Sequence, residues 1–240
     1  MTVPPASALL EVWERAFAQP LAVKAFALLV LARPEVSLEE LASWTVGQRD
    51  RALLELRHGL FGAHLDAVAT CPACAQQLEL GFATQDVMAE SVQTSATLEV
   101  NAAGHRVHVR LPTVQDLTQL RAGHSAMDLL ERCLLEVRSK KKSGIQVEAL
   151  PNEVLTAINE AMSKADPQAL IELALECPTC AHLWLSVFDI ASYLWRELDT
   201  WARRTLQDVH QLARAYGWRE ADVLALSSTR RRLYLEMVGA

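Results

Sequence analysis

Residues 70–76 read TCPACAQ and residues 176–182 read ECPTCAH, two Cys-x-x-Cys clips with proline in the same slot, about a hundred residues apart. A pair of thiolates separated by two residues fills two corners of a tetrahedral zinc ion, and a second pair fills the other two. Cys71, Cys74, Cys177 and Cys180 are therefore read as one closed four-thiolate Zn2+ site. A closed site leaves no coordination position for water, so its expected role is structural and not catalytic. In ordinary ribbons ~15–20 residues separate the pairs, so the long interval here requires each half to be a self-contained hairpin.

The flanks of the clips agree with that requirement. The apolar run from Leu65 to Ala69 precedes the first clip, and QLELGF follows it with Leu78, Leu80 and Phe82 alternating as in a half-buried strand. From Ala169 the run ALIELALECPTCAHLWLSVFD repeats the order of strand, clip and strand. Phe82 and Phe188 fall at the same offset from the first cysteine of their clips, as do Leu78 and Trp184. The competing chemistry, a thioredoxin-like dithiol, needs a strand-to-helix junction to lower the thiol pKa, and both clips are followed by strand patterns instead. Knuckles of this kind favour glycine after the second cysteine, where the backbone turns left-handed, but the chain has Ala75 and Ala181. His182 is a further candidate ligand beside the second clip, although four thiolates already complete the site. Cys133, within MDLLERCLLEV, reads as an inert buried thiol.

Outside the clips the pattern is mainly helical. Ser37 stands three residues before Glu40, and Thr45 three before Gln48, both capping-box spacings; Leu53, Leu56, Leu60 and Phe61 then keep helical spacing up to Gly62. A second hairpin is expected from Ala96 to Leu111, with Leu98 and Val100 facing Val107, Val109 and Leu111 across NAAG. Helical spacing resumes at Thr113 and runs to about Val137, the basic segment from Arg138 to Gly144 reads as a solvated connection, and LPNEVLTAINEAM makes a further helix. From Ile190 onward the chain is helical, broken at Gly217 and finished by two short helices, with Arg230 to Arg232 as a solvated face. The expected fold class is α+β, mainly helical, with a split zinc-ribbon-like pair of β-hairpins and a helical C-terminal region. Three segments follow: a helical region 1–62, a hairpin and ribbon region 63–190 with a helical insertion between the half-sites, and a helical region 191–240.

Composition narrows the function classes. The 51% hydrophobic content supports a packed core, and 23 Lys and Arg against 29 Asp and Glu give a formal charge of -6. A phosphate-binding protein usually leans the other way, so nucleic acid is a disfavoured partner. The amino terminus has no basic region ahead of an apolar core, and the most apolar run, Leu21 to Ala32, is short and carries Lys24. No membrane association and a cytoplasmic location are expected, where paired cysteines favour metal or redox chemistry over lasting disulfides. There is no phosphate-binding glycine loop, no G-x-S-x-G elbow and no H-E-x-x-H helix, and His105 and His108 lie on the expected second hairpin, so no enzyme is expected.

Together with the two knuckles, the C-terminal run FDIASYLWRELDTWARRTLQDVHQLARAYGWREADVLALSSTRRRLYLEMV resembles the T4-type baseplate hub assembly chaperones of contractile-tailed phages and of phage-derived contractile injection systems. The residues that carry the resemblance are Cys71, Cys74, Cys177 and Cys180, then Phe188, Asp189, Leu194, Trp195, His210, Tyr216, Gly217, Trp218, Leu226 and Arg231. The resemblance implies a cytoplasmic, non-enzymatic helper that escorts baseplate hub or spike components into assembly. Such a helper needs apolar surface to offer a subunit, and Tyr193, Trp195, Trp201 and Trp218 are the candidate partner-binding side chains. The helix around Tyr193 to Trp201 is apolar on more than one side, so it is either deeply buried or docked on a partner. Alternatives remain: a structural baseplate component, a zinc-ribbon nucleic-acid-binding protein, or a thiol oxidoreductase.

Overall fold

The computed structural model describes residues 3–90, 97–120, 125–139 and 150–239. Four helices open the chain: α1 (Ala6–Ala16), α2 (Leu21–Ala32), α3 (Leu38–Ser43) and α4 (Val46–Phe61). The start of α4 is a full capping box, in which the Gln48 N–H donates to Thr45 Oγ1 at 3.2 Å and the Thr45 N–H donates to Gln48 Oε1 at 2.8 Å. At α3 only half of the expected box forms: the Glu40 N–H donates to Ser37 Oγ. Gly62 ends α4 with a φ of +89°.

Two antiparallel hairpins carry the clips, β1 (His64–Thr70) with β2 (Gln77–Ala83), and β6 (Ile171–Glu176) with β7 (Leu183–Phe188). Their registers match: Leu65 pairs with Phe82 in the first and Ile171 with Phe188 in the second. The long helix α8 (Ile190–Tyr216) follows directly, capped by Asp189, whose carboxylate accepts from the Ala191 N–H at 3.0 Å and the Ser192 N–H at 3.4 Å. It stops at Gly217, where a left-handed φ of +67° suits a residue without Cβ. Helices α9 (Glu220–Leu224) and α10 (Ser228–Val238) fold back onto its end.

The main core draws on the 1–62, 63–190 and 191–240 segments together. Leu28, Leu53 and Leu56 from the amino-terminal helices meet Leu65 at the base of the first hairpin and Ile190, Leu194 and Leu198 from α8, all 0% exposed. Each is worth roughly 2 kcal/mol on burial, whereas an isolated two-stranded hairpin is marginal in water. The hairpin bases are thus held by the helices, and their tips must be held by something else.

The chain between the half-sites builds a core of its own. Strands β3 (Thr97–Ala102), β4 (His105–Arg110) and β5 (Leu134–Ser139) form one antiparallel sheet, with α6 (Ala126–Cys133) and α7 (Asn152–Ala165) alongside, while α5 (Val114–Gln119) packs its Val114 with Leu29, Leu41 and Ala52 of the amino-terminal helices. Val100, Val107, Val109, Val137, Val154 and Ile158 make up its buried centre. The expected hairpin is present, with Leu98 opposite Val109 and Val100 opposite Val107. The helix expected to run to Val137 ends at Cys133, and Leu134 to Ser139 form a strand instead. Pairing of Val107 with Val137 and Val109 with Leu134 covers what would otherwise be a bare edge of β4, a tertiary reward that helical spacing does not register. Of the basic segment from Arg138 to Gly144 expected to be a solvated connection, residues 140–144 lie outside the described residues, while Arg138 and Ser139 end β5. The Arg230 to Arg232 face is only partly solvated: Arg231 is buried, with Nε 3.9 Å from the Asp208 carboxylate.

Both necks of the insertion are tied to α4, the first through Arg51, whose Nη1 donates to the Ala89 carbonyl at 2.9 Å. Asp166 accepts from the Gly47 N–H at 2.9 Å, and a Cβ at Gly47 would sit 1.8 Å from Asp166 Oδ1, so any larger residue there would displace the carboxylate from this bond. Buried Gln168 accepts from the Ala89 N–H at 2.7 Å and donates to the Val87 carbonyl at 3.0 Å. Inside the insertion, where β4 leads into α5, Arg110 Nη2 donates to Asp116 Oδ1 at 2.8 Å, and Asp116 also accepts from the Thr113 N–H at 2.9 Å. Burial alone would raise the Asp116 carboxyl, but these hydrogen bonds outweigh it and hold it at about 2. A depressed folded-state pKa stabilises above the unfolded value near 3.8 and is lost as pH falls towards 2. The stability difference between the protein and its Asp116→Asn variant, read by urea denaturation, is expected to shrink from about 2 kcal/mol at pH 7 to near zero by about pH 2.

Candidate metal centre

The two clips occupy the tips of the hairpins and fold alike. The Ala75 N–H donates to the Cys71 carbonyl and the Cys71 N–H to the Gln76 carbonyl, both at 2.9 Å. In the second clip the Ala181 N–H donates to Cys177 and the Cys177 N–H to His182, again at 2.9 Å. These turns point both thiols of each clip to one side. Ala75 and Ala181 have φ of +61° and +55°, so the left-handed backbone expected for glycine is kept by alanine. An L-residue there is strained by roughly 1 kcal/mol. The double variant Ala75→Gly, Ala181→Gly is expected to be more stable by about 1–2 kcal/mol in chemical denaturation, with its metal content unchanged.

The tips meet across an approximate two-fold relation. Cys71 Sγ lies 3.7 Å from Cys180 Sγ, and Cys74 Sγ lies 3.6 Å from Cys177 Sγ. All four sulfurs fall within 4.8 Å of one another, the group among the described residues whose side chains are placed to hold a metal ion. With metal–sulfur bonds of ~2.3 Å, a tetrahedral zinc site has edges of about 3.8 Å, which these sulfurs already approach. Cys71 and Cys177 are 1% exposed while Cys74 and Cys180 reach solvent, so the site is shielded on one side only. Burial tends to raise the Cys177 thiol, but the backbone N–H groups of Cys180 and Thr179 and the hydrogen-bonded thiols of Cys74 and Cys180 bring it down to about 6. The His182 N–H favours a Cys180 thiolate, but the hydrogen-bonded thiols around it and burial prevail, and it rises to about 12. The thiols titrate as one group, and a cation would compensate the first negative charge that they share.

The other sequence candidates are distributed as follows. His182 stacks on Trp184 at 6.1 Å and is not part of the thiol group. Cys133 is buried in the second core, and burial raises its thiol to about 11, which suits an unreactive group. Tyr193 and Trp195 are 8% and 9% exposed and belong to the main core, with Lys24 Nζ 4.7 Å above the Trp195 ring, so neither has the free surface that docking requires. Of the two cases offered for that helix, deep burial or docking on a partner, its first turns are the buried one. Trp201 is half-buried, and Trp218 packs between Tyr216 at 4.8 Å and Tyr234 at 4.9 Å.

Several contacts that hold the hairpins in place had no local signal. The Tyr193 hydroxyl donates to the Asp66 carbonyl at 3.0 Å and accepts from the Asp66 N–H at 3.1 Å, fastening β1 to α8. Beside it, Arg57 from α4 is bidentate to Glu197 of α8 at 3.0 and 2.8 Å and donates to the Gly62 carbonyl at 2.7 Å. Between the hairpin bases Phe82 meets Phe188 edge-on at 5.3 Å, the pair whose equal offsets mark the two half-sites. No helix among the described residues is long and apolar enough to cross a membrane.

No curated protein and no solved structure matches the chain. A family described as T4 bacteriophage base plate protein matches residues 33–195, well over half of the chain, from the loop before α3 through both cysteine clips to the start of α8. The matched stretch takes in all four clustered cysteines and the insertion, and it stops short of most of the C-terminal run. The chain belongs to the T4 bacteriophage base plate protein family.

Proposed function

We propose that the protein is a non-enzymatic assembly chaperone or adaptor for the hub or spike of a contractile phage tail-like particle, acting in the cytoplasm and braced by a structural Zn2+ at Cys71, Cys74, Cys177 and Cys180. The family implies association with other tail and baseplate proteins. The single observation that carries the bracing half of the reading is the meeting of four thiols from two hairpin tips 109 and 103 positions apart in sequence. Zinc, when bound, supplies a redox-inert tetrahedral crosslink between four thiolates. Cys71 and Cys177 would form its buried side and Cys74 and Cys180 its outer side. Each clip needs the other to complete the set, so the metal couples the two hairpins on either side of the insertion.

A second reading, a permanent baseplate component, is favoured by the family description itself. Affinity isolation of the tagged protein from cells assembling the particle, compared by mass spectrometry with finished particles, separates the two. Hub or spike subunits co-purifying with a protein absent from finished particles is the expected result. Stoichiometric presence in finished particles would support the structural reading, and capture of no tail protein would overturn both.

A further inference from the structure

We infer that the outer face of the second clip hairpin docks a basic, apolar segment of a partner protein, an inference that rests on the assembly role proposed above. Leu183, Leu185 and Val187 alternate along β7 and are 71%, 61% and 61% exposed. Alternation sends all three to one face of the hairpin. Across the ladder they stand opposite Glu176, Ala174 and Glu172 of β6, which are exposed as well. Directly opposite residues share a face, so an apolar row on β7 lies beside a row on β6 with a glutamate at either end.

The first hairpin shows that the fold does not require the apolar row. Its register is the same, and at the positions equivalent to Leu183, Leu185 and Val187 it carries Gln77, Glu79 and Gly81. Both hairpins reach the main core through their other face, by Leu65 and Phe82 in the first and Ile171 and Phe188 in the second. Three large apolar side chains left in water on one of two matching hairpins therefore mark a contact surface.

The charges choose the occupant. Strands β6 and β7 contain no lysine or arginine, and neither Glu172 nor Glu176 has an ion pair among the described residues. Arg196 and Arg204 of α8 line a cleft that Val187 also borders, but Leu183, Leu185 and both glutamates do not line it. A second copy of the chain would bring two further glutamates and no cation to the contact, and nucleic acid or an anionic lipid surface would bring phosphates. A partner segment with lysine or arginine beside apolar residues is complementary to both rows. Glu172 and Glu176 are four residues apart on one strand, so cations about 13 Å apart fit them. The formal charge of -6 attracts a segment of the same sign at longer range.

The test is site-specific photo-crosslinking of the full chain in cells assembling the particle, with the photoreactive amino acid at position 185 or, as the matched control, at position 79 of the first hairpin. Both positions are exposed. Glu172→Lys with Glu176→Lys reverses the charge of the face, and Leu183→Gln separately gives it the side chain of the first hairpin. All three residues are exposed, and an unchanged melting temperature and metal content check that the variants keep the fold. The expected result is an adduct from position 185 to a tail-protein peptide in which lysine or arginine flanks apolar residues, with little from position 79. The double charge reversal should lower its yield about tenfold or more, and Leu183→Gln should lower it several-fold. If that peptide belongs to a protein unrelated to the tail, the docking face stands and the assembly reading falls. No adduct from position 185 overturns the face, and tail proteins still co-purifying would leave the assembly reading standing. An adduct to an acidic peptide, to nucleic acid, to lipid, to a second copy of this chain or to its own residues 140–149, a yield indifferent to the charge reversal, or an equal yield from position 79 would each overturn the face.

Discussion

Cys177→Ser is expected to abolish metal binding and to lower stability at saturating zinc by more than about 3 kcal/mol. The substituted residue is the most enclosed ligand with Cys71, and it carries the lowered thiol pKa of the cluster. Binding of structural zinc is worth ~10–16 kcal/mol in peptides that are unfolded without it. Here the expected loss is smaller, because the hairpin bases stay packed through Leu65, Phe82, Ile171 and Phe188 and only the tips depend on the ion. Metal content by elemental analysis should fall from one zinc per chain to none. The same change at Cys71 should behave alike, whereas Cys133→Ala, in a separate core, should retain full metal content. Unchanged zinc and unchanged melting in Cys177→Ser would mean that the two clips do not share one ion.

The second large effect is expected at Arg57. Its guanidinium is 3% exposed as a residue, holds Glu197 with two hydrogen bonds, completes the end of α4 through the Gly62 carbonyl and lies 5.7 Å from the Tyr193 ring. Removing one partner of a buried pair leaves an uncompensated charge and an unpaired carbonyl, so Arg57→Met should cost about 3–4 kcal/mol in denaturant unfolding. The double variant Arg57→Met, Glu197→Met should recover about half of that, since no buried charge remains. Additive losses in the double-mutant cycle would show that the pair does not couple α4 to α8.

Much of the candidate site was legible from local pattern. Proline and two cysteines at fixed spacing, each clip between alternating strands, place a turn and two thiols with no help from the rest of the chain. Equal offsets of Phe82 and Phe188 marked the two half-sites, and the structure brings their rings together edge-on. The capping box at Thr45 and the stop at Gly217 are likewise governed by residues within one turn. An apolar helix face looks the same in sequence whether a neighbouring helix or another protein covers it, and at Tyr193 and Trp195 the chain's own core does so. Their enclosure follows from α1, α2 and β1 closing over α8, which local spacing does not encode.

The sequence by itself determined the two knuckles, the hairpins that bear them and the long C-terminal helix, since hydrogen bonds and side-chain periodicity within a few residues decide those elements. Only the tertiary structure decided that the four sulfurs meet, that Leu134 to Ser139 join a sheet, and that Arg57, Tyr193 and Gln168 fasten segments distant along the chain. Such contacts depend on which apolar faces share a core. That choice is made by burial summed over the whole chain, to which no single stretch holds the key.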